Sequence, residues 1–105
     1  MNQPGIIYNV TMRPELQIAD DWLQWLLQEH IPEVMNTKCF FDHKVARLLE
    51  TDESEGPTYV IQYFAVSKAD YNRFIELHAS DLRKKSFEKW GEQFIAFRTV
   101  MEVVQ

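Results

Sequence analysis

The sequence predicts an α+β protein of the ferredoxin-like class, an antiparallel sheet with helices on one face. Three observations predict it. Four runs rich in β-branched and aromatic residues alternate with period two. Two longer runs carry apolar residues at helical spacing. Their order along the chain is β-α-β-β-α-β, the split βαβ arrangement, with the second helical region open to division. The 105 residues suit a single domain over 1–105. A domain of this size buries roughly 65% of its unfolded surface, enough for one core. At 46% hydrophobic and 13% aromatic, the chain is globular in composition and not disordered.

The first strand is "IIYNVTM", Ile6–Met12, ended by Pro14. The period changes at Asp20. Trp22, Leu23, Leu26, Leu27, His30 and Val34 then share one helical face, and Asp20 with Asp21 supplies negative charge to the first turn. Pro32 lacks an N–H and disfavours helical geometry at Ile31, so the helix is expected to kink or stop there, with Pro32 opening a short final turn. "CFFDHKVARLLE", Cys39–Glu50, reads as the second strand, "TDESEGP" as an exposed connection, and "TYVIQYFAV", Thr58–Val66, as the third. Strands two and three form an antiparallel hairpin. Ser67 and Asp70 resemble a capping box. Tyr71, Phe74, Ile75, His78 and Leu82 keep helical spacing, and the stripe restarts out of register at Phe87 and Trp90. Ser80 would cap a second helix there, and the pattern leaves one helix or two open. Gly91 is a stop. "FIAFRTVMEVV", Phe94–Val104, is the fourth strand.

Alternation divides each strand into faces. In strand four, Ile95, Phe97, Thr99, Met101 and Val103 form an apolar face suited to the helices, opposite Phe94, Ala96, Arg98, Val100, Glu102 and Val104. The sheet face away from the helices is then mixed, too apolar to be left in water and too polar for a dry core. Such a patch marks an interface or ligand groove. A symmetric homodimer solves it, two sheets face to face around a shared interior. Asn9, His43, Arg47, Arg98 and Glu102 are candidates to line that interior, or Arg98 and Glu102 form interface ion pairs or reach its rim.

Composition excludes several classes. A formal charge of −5 argues against nucleic acid, because phosphate binding needs clustered Lys and Arg. The one local exception, Arg83-Lys84-Lys85, reads as a solvated helix face. Cys39 stands alone, so no internal disulfide forms. "MNQPGIIYNV" has no basic n-region and too short an apolar run for a signal peptide, and no run approaches a membrane span. These features imply a soluble protein of a reducing cytoplasm.

"IIYNVT", "WLQWLLQEHIPEVMNTKCF", "YVIQYF" and "FIAFRTVMEVV" together resemble a family of small bacterial proteins of unknown function in the dimeric α+β barrel superfamily. The resemblance spans nearly the whole chain in the same order. It implies a ferredoxin-like monomer and a homodimeric barrel, and no activity. The wider superfamily includes haem-degrading and quinol monooxygenases, muconolactone-isomerase-like enzymes, chlorite-dismutase-like proteins and stress-induced ligand binders. Trp25, Glu29, His30, Ile31 and Pro32 are similar to helix motifs in some of them, a likeness of fold more than of chemistry.

His30 shares the core stripe. It reads first as a structural histidine helping to satisfy carbonyls freed near Pro32, and second as an acid, base or ligand contact tuned by Glu29 or Glu33. His30, His43 and His78 have no zinc spacing, and no motif calls for haem or another cofactor, so neither metal nor cofactor is expected. Cys39, beside Lys38, reads as a small buried hydrophobe. Trp22 is core by spacing, and Trp25 lies toward the flank. Two functions follow. One is a dimeric module binding a small apolar or aromatic molecule in the barrel interior, between sheet and helices. The other is a cofactor-independent monooxygenase or isomerase on an aromatic or enolisable substrate, with His30 or His43 as base and Arg98 or Arg47 holding an oxyanion.

Overall fold

The structure, a computed structural model, describes residues 4–105. Residues 1–3, which open the stretch tested above for a signal peptide, lie outside the described residues. Strand β1 is Ile6–Pro14, β2 Asp42–Arg47, β3 Tyr59–Ala65 and β4 Phe94–Glu102. Helix α1 covers 19–35, after a short 3-10 turn at Leu16–Ile18, and α2 covers 68–90. The sheet order is β2-β3-β1-β4, every pair antiparallel. This is the ferredoxin-like α+β fold. Among the described residues no helix is long and apolar enough to cross a membrane.

Both helices contain a π-turn, and it answers two questions left by the sequence. In α1 the turn is Leu26–His30, and the Ile31 N–H reaches back five residues to the Leu26 carbonyl. The widened turn ends just before Pro32, which therefore sits in the first turn of the closing segment Ile31–Met35, where a missing N–H costs least. Ile31 keeps helical dihedrals, so the chain does not stop there. In α2 the π-turn is Ile75–Ala79, and Ser80 is helical inside one continuous helix. Ser80 caps nothing. The buried stripes take a step of five at the same places, Leu26 to Ile31 and Phe74 to Ala79. Leu27 is 47% exposed, although uniform helical spacing had it on the stripe, and Phe87, where the stripe was expected to restart out of register, is 59% exposed. Ser67 caps α2 by accepting the Asp70 N–H at 3.3 Å, and Gly91 ends it at φ +60°.

β2 is shorter than the sequence suggested. Lys38 turns with φ +65°, and Cys39 and Phe40 are buried ahead of the strand. The ladder is nonetheless approached by the Phe41 N–H on the Phe64 carbonyl at 2.9 Å. Beyond Arg47 the Leu48 N–H reaches Thr58, and then Glu50 turns with φ +59°. In the acidic connection Gly56 and Pro57 are buried, although the residues around them are mostly exposed.

Register fixes the two faces of the sheet. Tyr8, Val10 and Met12 are buried toward the helices, as are Tyr59, Ile61 and Tyr63. Trp22 of α1 stacks on Tyr59 at 5.9 Å between centroids, and Phe74 of α2 lies 5.7 Å from Tyr8. Ala96 pairs with Met12, Arg98 with Val10, Val100 with Tyr8 and Glu102 with Ile6. Directly paired residues share a face. Phe94, Ala96, Arg98, Val100 and Glu102 therefore face the helix side, and Ile95, Phe97, Thr99 and Met101 face away. This reverses the faces expected from apolarity in β4. His43, Val45 and Arg47 pair with Tyr63, Ile61 and Tyr59, so they too lie on the helix side. Of the five residues expected between two sheets, only Asn9 is on the outer face.

Candidate functional site

A cleft opens between the helix-facing side of the sheet and the two helices. Its floor is Tyr8, Val10 and Met12 of β1 with Ile61 and Tyr63 of β3. The helices close it with Val34, Phe74, Ala79 and Leu82, and His30, Arg83, Ser86 and Arg98 add polar groups. Counting its open mouth, the cleft encloses about 440 Å³, but only about 30 Å³ of it admits the centre of a water molecule. That is room for a water or two, with anything larger requiring movement of the exposed side chains at the mouth. Each π-turn ends in a lining residue, His30 in α1 and Ala79 in α2. The widened turns thus set the register of both cleft-facing helix surfaces.

His30 is half-buried and stacks on Trp25, ring centroids 4.9 Å apart at 28°. Burial pushes its pKa from 6.5 down to about 4, with the Glu33 charge opposing and the Arg98 charge adding to the drop. No hydrogen bond joins the shift, and the ring makes no hydrogen bond to a carbonyl near Pro32; the bond seen there is the Ile31 N–H on the Leu26 carbonyl within the π-turn. At neutral pH the imidazole is uncharged, with one nitrogen to donate and one to accept. The Glu33 carboxylate is held at 2.9 Å by Lys85.

Arg83 donates to the Tyr8 hydroxyl at 3.1 Å, across from α2 to β1. Tyr8 sits in an aromatic cluster, 5.4 Å from Tyr71 and 6.0 Å from Phe40 and from Tyr63 between ring centroids. Burial raises the pKa of both Tyr63 and Tyr71, so these phenols stay protonated. Ser86 is buried and donates to the Leu82 carbonyl at 3.1 Å within its own helix.

The six residues singled out in the sequence separate here. His30 and Arg98 line one cleft. Asn9 lies on the outer face, accepting from Gln62 at 3.3 Å. His43 is exposed on the edge strand β2. Arg47 is bound to Glu53 at 2.6 and 3.1 Å, with its guanidinium 6.0 Å from the Tyr59 ring centre. Glu102 is exposed at the end of β4. Sequence reasoning missed Tyr8, Ser86 and above all Arg83, which had been grouped with Lys84 and Lys85. Arg83 lies four residues after Ala79 and three before Ser86, at the edge of the buried stripe. That position becomes visible only once the π-turn is placed. Among the described residues no group of three or more His, Cys, Asp or Glu side chains gathers to hold a metal ion.

Fold and cleft define a class, the α+β ferredoxin-like proteins with a pocket between sheet and helices. The chain belongs to the family described as "Domain of unknown function (DUF4286)", which matches residues 5–104. No curated protein matches it. Solved structures share its fold at low identity. An "ethyl tert-butyl ether d (ethd) family protein" from Bacillus halodurans has a TM-score of 0.70 at 10% identity, covering 94% of this chain and 99% of that one. A "dimeric ferredoxin-like protein" from an uncultured marine organism has 0.68 at 13%, covering 98% of each chain. SnoaB, a cofactor-independent oxygenase from Streptomyces nogalater, has 0.70 at 10%, covering 98% and 96%.

Proposed function

We propose that this chain forms a homodimeric α+β barrel and binds a small apolar or aromatic molecule in the cleft of each subunit. The observation that carries the binding reading is the convergence of His30, Arg83, Arg98 and Tyr8 on one apolar wall. A few polar groups around an apolar floor is the usual make-up of a small-molecule site. The dimer is supported by the outer sheet face, where Phe97 is 67%, Ile95 45% and Met101 39% exposed beside half-buried Ile7, Val60 and Phe64. A similar fold of known structure is itself described as dimeric. The one cysteine is free and buried, in keeping with a cytoplasmic protein.

A second reading is a cofactor-independent monooxygenase or isomerase on an aromatic or enolisable substrate. His30 would be its base and Arg98 would hold the oxyanion. Two observations favour it, the shared cleft and the similarity to SnoaB. Against it stands the weakness of His30 as a base. General base catalysis works best near the operating pH, and about 4 is some three units below neutrality. Binding is therefore the primary reading, and a substrate anion would have to raise the His30 pKa before the second applied.

Native mass spectrometry of protein purified without added ligand tests both parts. A dimer carrying a small adduct, lost on Ala79→Trp, is the expected result. A monomer at micromolar concentration would refute the barrel. An adduct that survives Ala79→Trp would move the ligand out of the cleft.

A further inference from the structure

The chain has five arginines and a net charge of −5. Three of the five are paired with acids: Arg13 with Glu55 at 3.4 Å, Arg47 with Glu53 at 2.6 Å, and Arg73 with Asp70 at 3.2 Å. Among the described residues the two without a carboxylate within ion-pair distance are Arg83 and Arg98. Both line the same cleft, and no Asp or Glu lines it with them. The nearest acid by its effect on His30 is Glu33, and Lys85 already holds it. In an acidic protein, two unpaired guanidiniums have thus been kept at the mouth of one apolar pocket.

Register brings the two together. Arg98 pairs with Val10, and Arg83 reaches Tyr8, two residues along the same face of β1. Arg83 now spends a donor on a neutral phenol. An anion is a stronger acceptor for a guanidinium than a tyrosine hydroxyl, since charge-assisted hydrogen bonds are roughly twice as strong as neutral ones. Resting on the reading that the cleft is the binding site, we infer that its ligand is a carboxylate on an apolar body, the carboxylate held between Arg83 and Arg98. The body lies on Val10, Met12 and Ile61 against Val34 and Leu82. Arg83 leaves Tyr8 to meet the carboxylate, which also widens a cleft too narrow for such a body as it stands. A planar carboxylate can accept two parallel N–H bonds from the two-pronged guanidinium, which a neutral polar group matches less well.

Calorimetric titration with 1-naphthoate and its neutral isostere 1-naphthamide tests this. The naphthoate should bind at least tenfold tighter, weaken with added salt, and lose about tenfold on either Arg83→Gln or Arg98→Gln. Both positions are exposed, so near-UV circular dichroism should show the variants folded. Naphthamide binding should be unchanged by either variant. Equal affinity for the two probes overturns the carboxylate and leaves the cleft as an apolar site. Phenyl phosphate binding tighter than naphthoate would also overturn it, in favour of a larger anion. If neither naphthalene binds at millimolar concentration, the inference and the binding reading fail together. If both bind but neither responds to Ala79→Trp, the site is elsewhere.

Discussion

His30 offers the sharpest quantitative test. Its pKa is about 4 in the folded protein against 6.5 in the unfolded chain. The unfolded state therefore binds the proton more readily between those values. Stability from keeping His30 neutral is complete above pH 6.5 and is lost as pH falls toward 4, below which the loss levels off. The 2.5-unit difference between 6.5 and about 4, at 1.36 kcal/mol per unit, gives a ceiling of roughly 3 kcal/mol, and partial exposure of the ring reduces it to about 2. Urea unfolding at pH 7 and pH 4.5 should show that loss in the wild type. His30→Phe keeps the stack on Trp25 and should lose about 2 kcal/mol less over the same interval. The His30 Hε1 resonance should have its midpoint near pH 4, rising in Arg98→Gln because the Arg98 charge contributes to the depression. A midpoint near 6.5, or identical pH dependence in wild type and His30→Phe, would show that the ring is solvated and that the burial argument is wrong.

Three further outcomes follow from other parts of the fold. Phe97→Glu places a charge in the exposed apolar face of β4, and should convert a dimer to a monomer in sedimentation velocity with little change in circular dichroism; Arg98→Glu, on the helix side, should not. Gly56→Ala should destabilise by about 2 kcal/mol or more in urea unfolding, because Gly56 has φ +138° and an added Cβ would overlap the Pro14 carbonyl oxygen. Trp22→Ala removes a side chain that is 0% exposed and stacked on Tyr59, and should cost about 3–5 kcal/mol.

Periodicity alone determined the element order, the ferredoxin-like class and most of the core. Period two in Ile6–Met12 and the helical stripe through Trp22 and Leu26 are local properties, set by which side chains must leave water together. The cap at Ser67 and the stop at Gly91 are local as well. What only the tertiary structure decided was register. A π-turn adds one residue to a helical turn without any side-chain signature, so the change of register after Leu82 left one helix or two open, and Arg83 looked like one more solvated cation. Face choice in β4 was equally hidden. Both faces of an edge strand carry apolar residues when one meets helices and the other is left open, so apolarity cannot rank them; the pairing of Val10 with Arg98 does. His30 was visible from the sequence because it sits on the core stripe. Arg98, Arg83 and Tyr8 come from three other elements, and they line the same cleft as His30 only because two π-turns and one sheet register place them there.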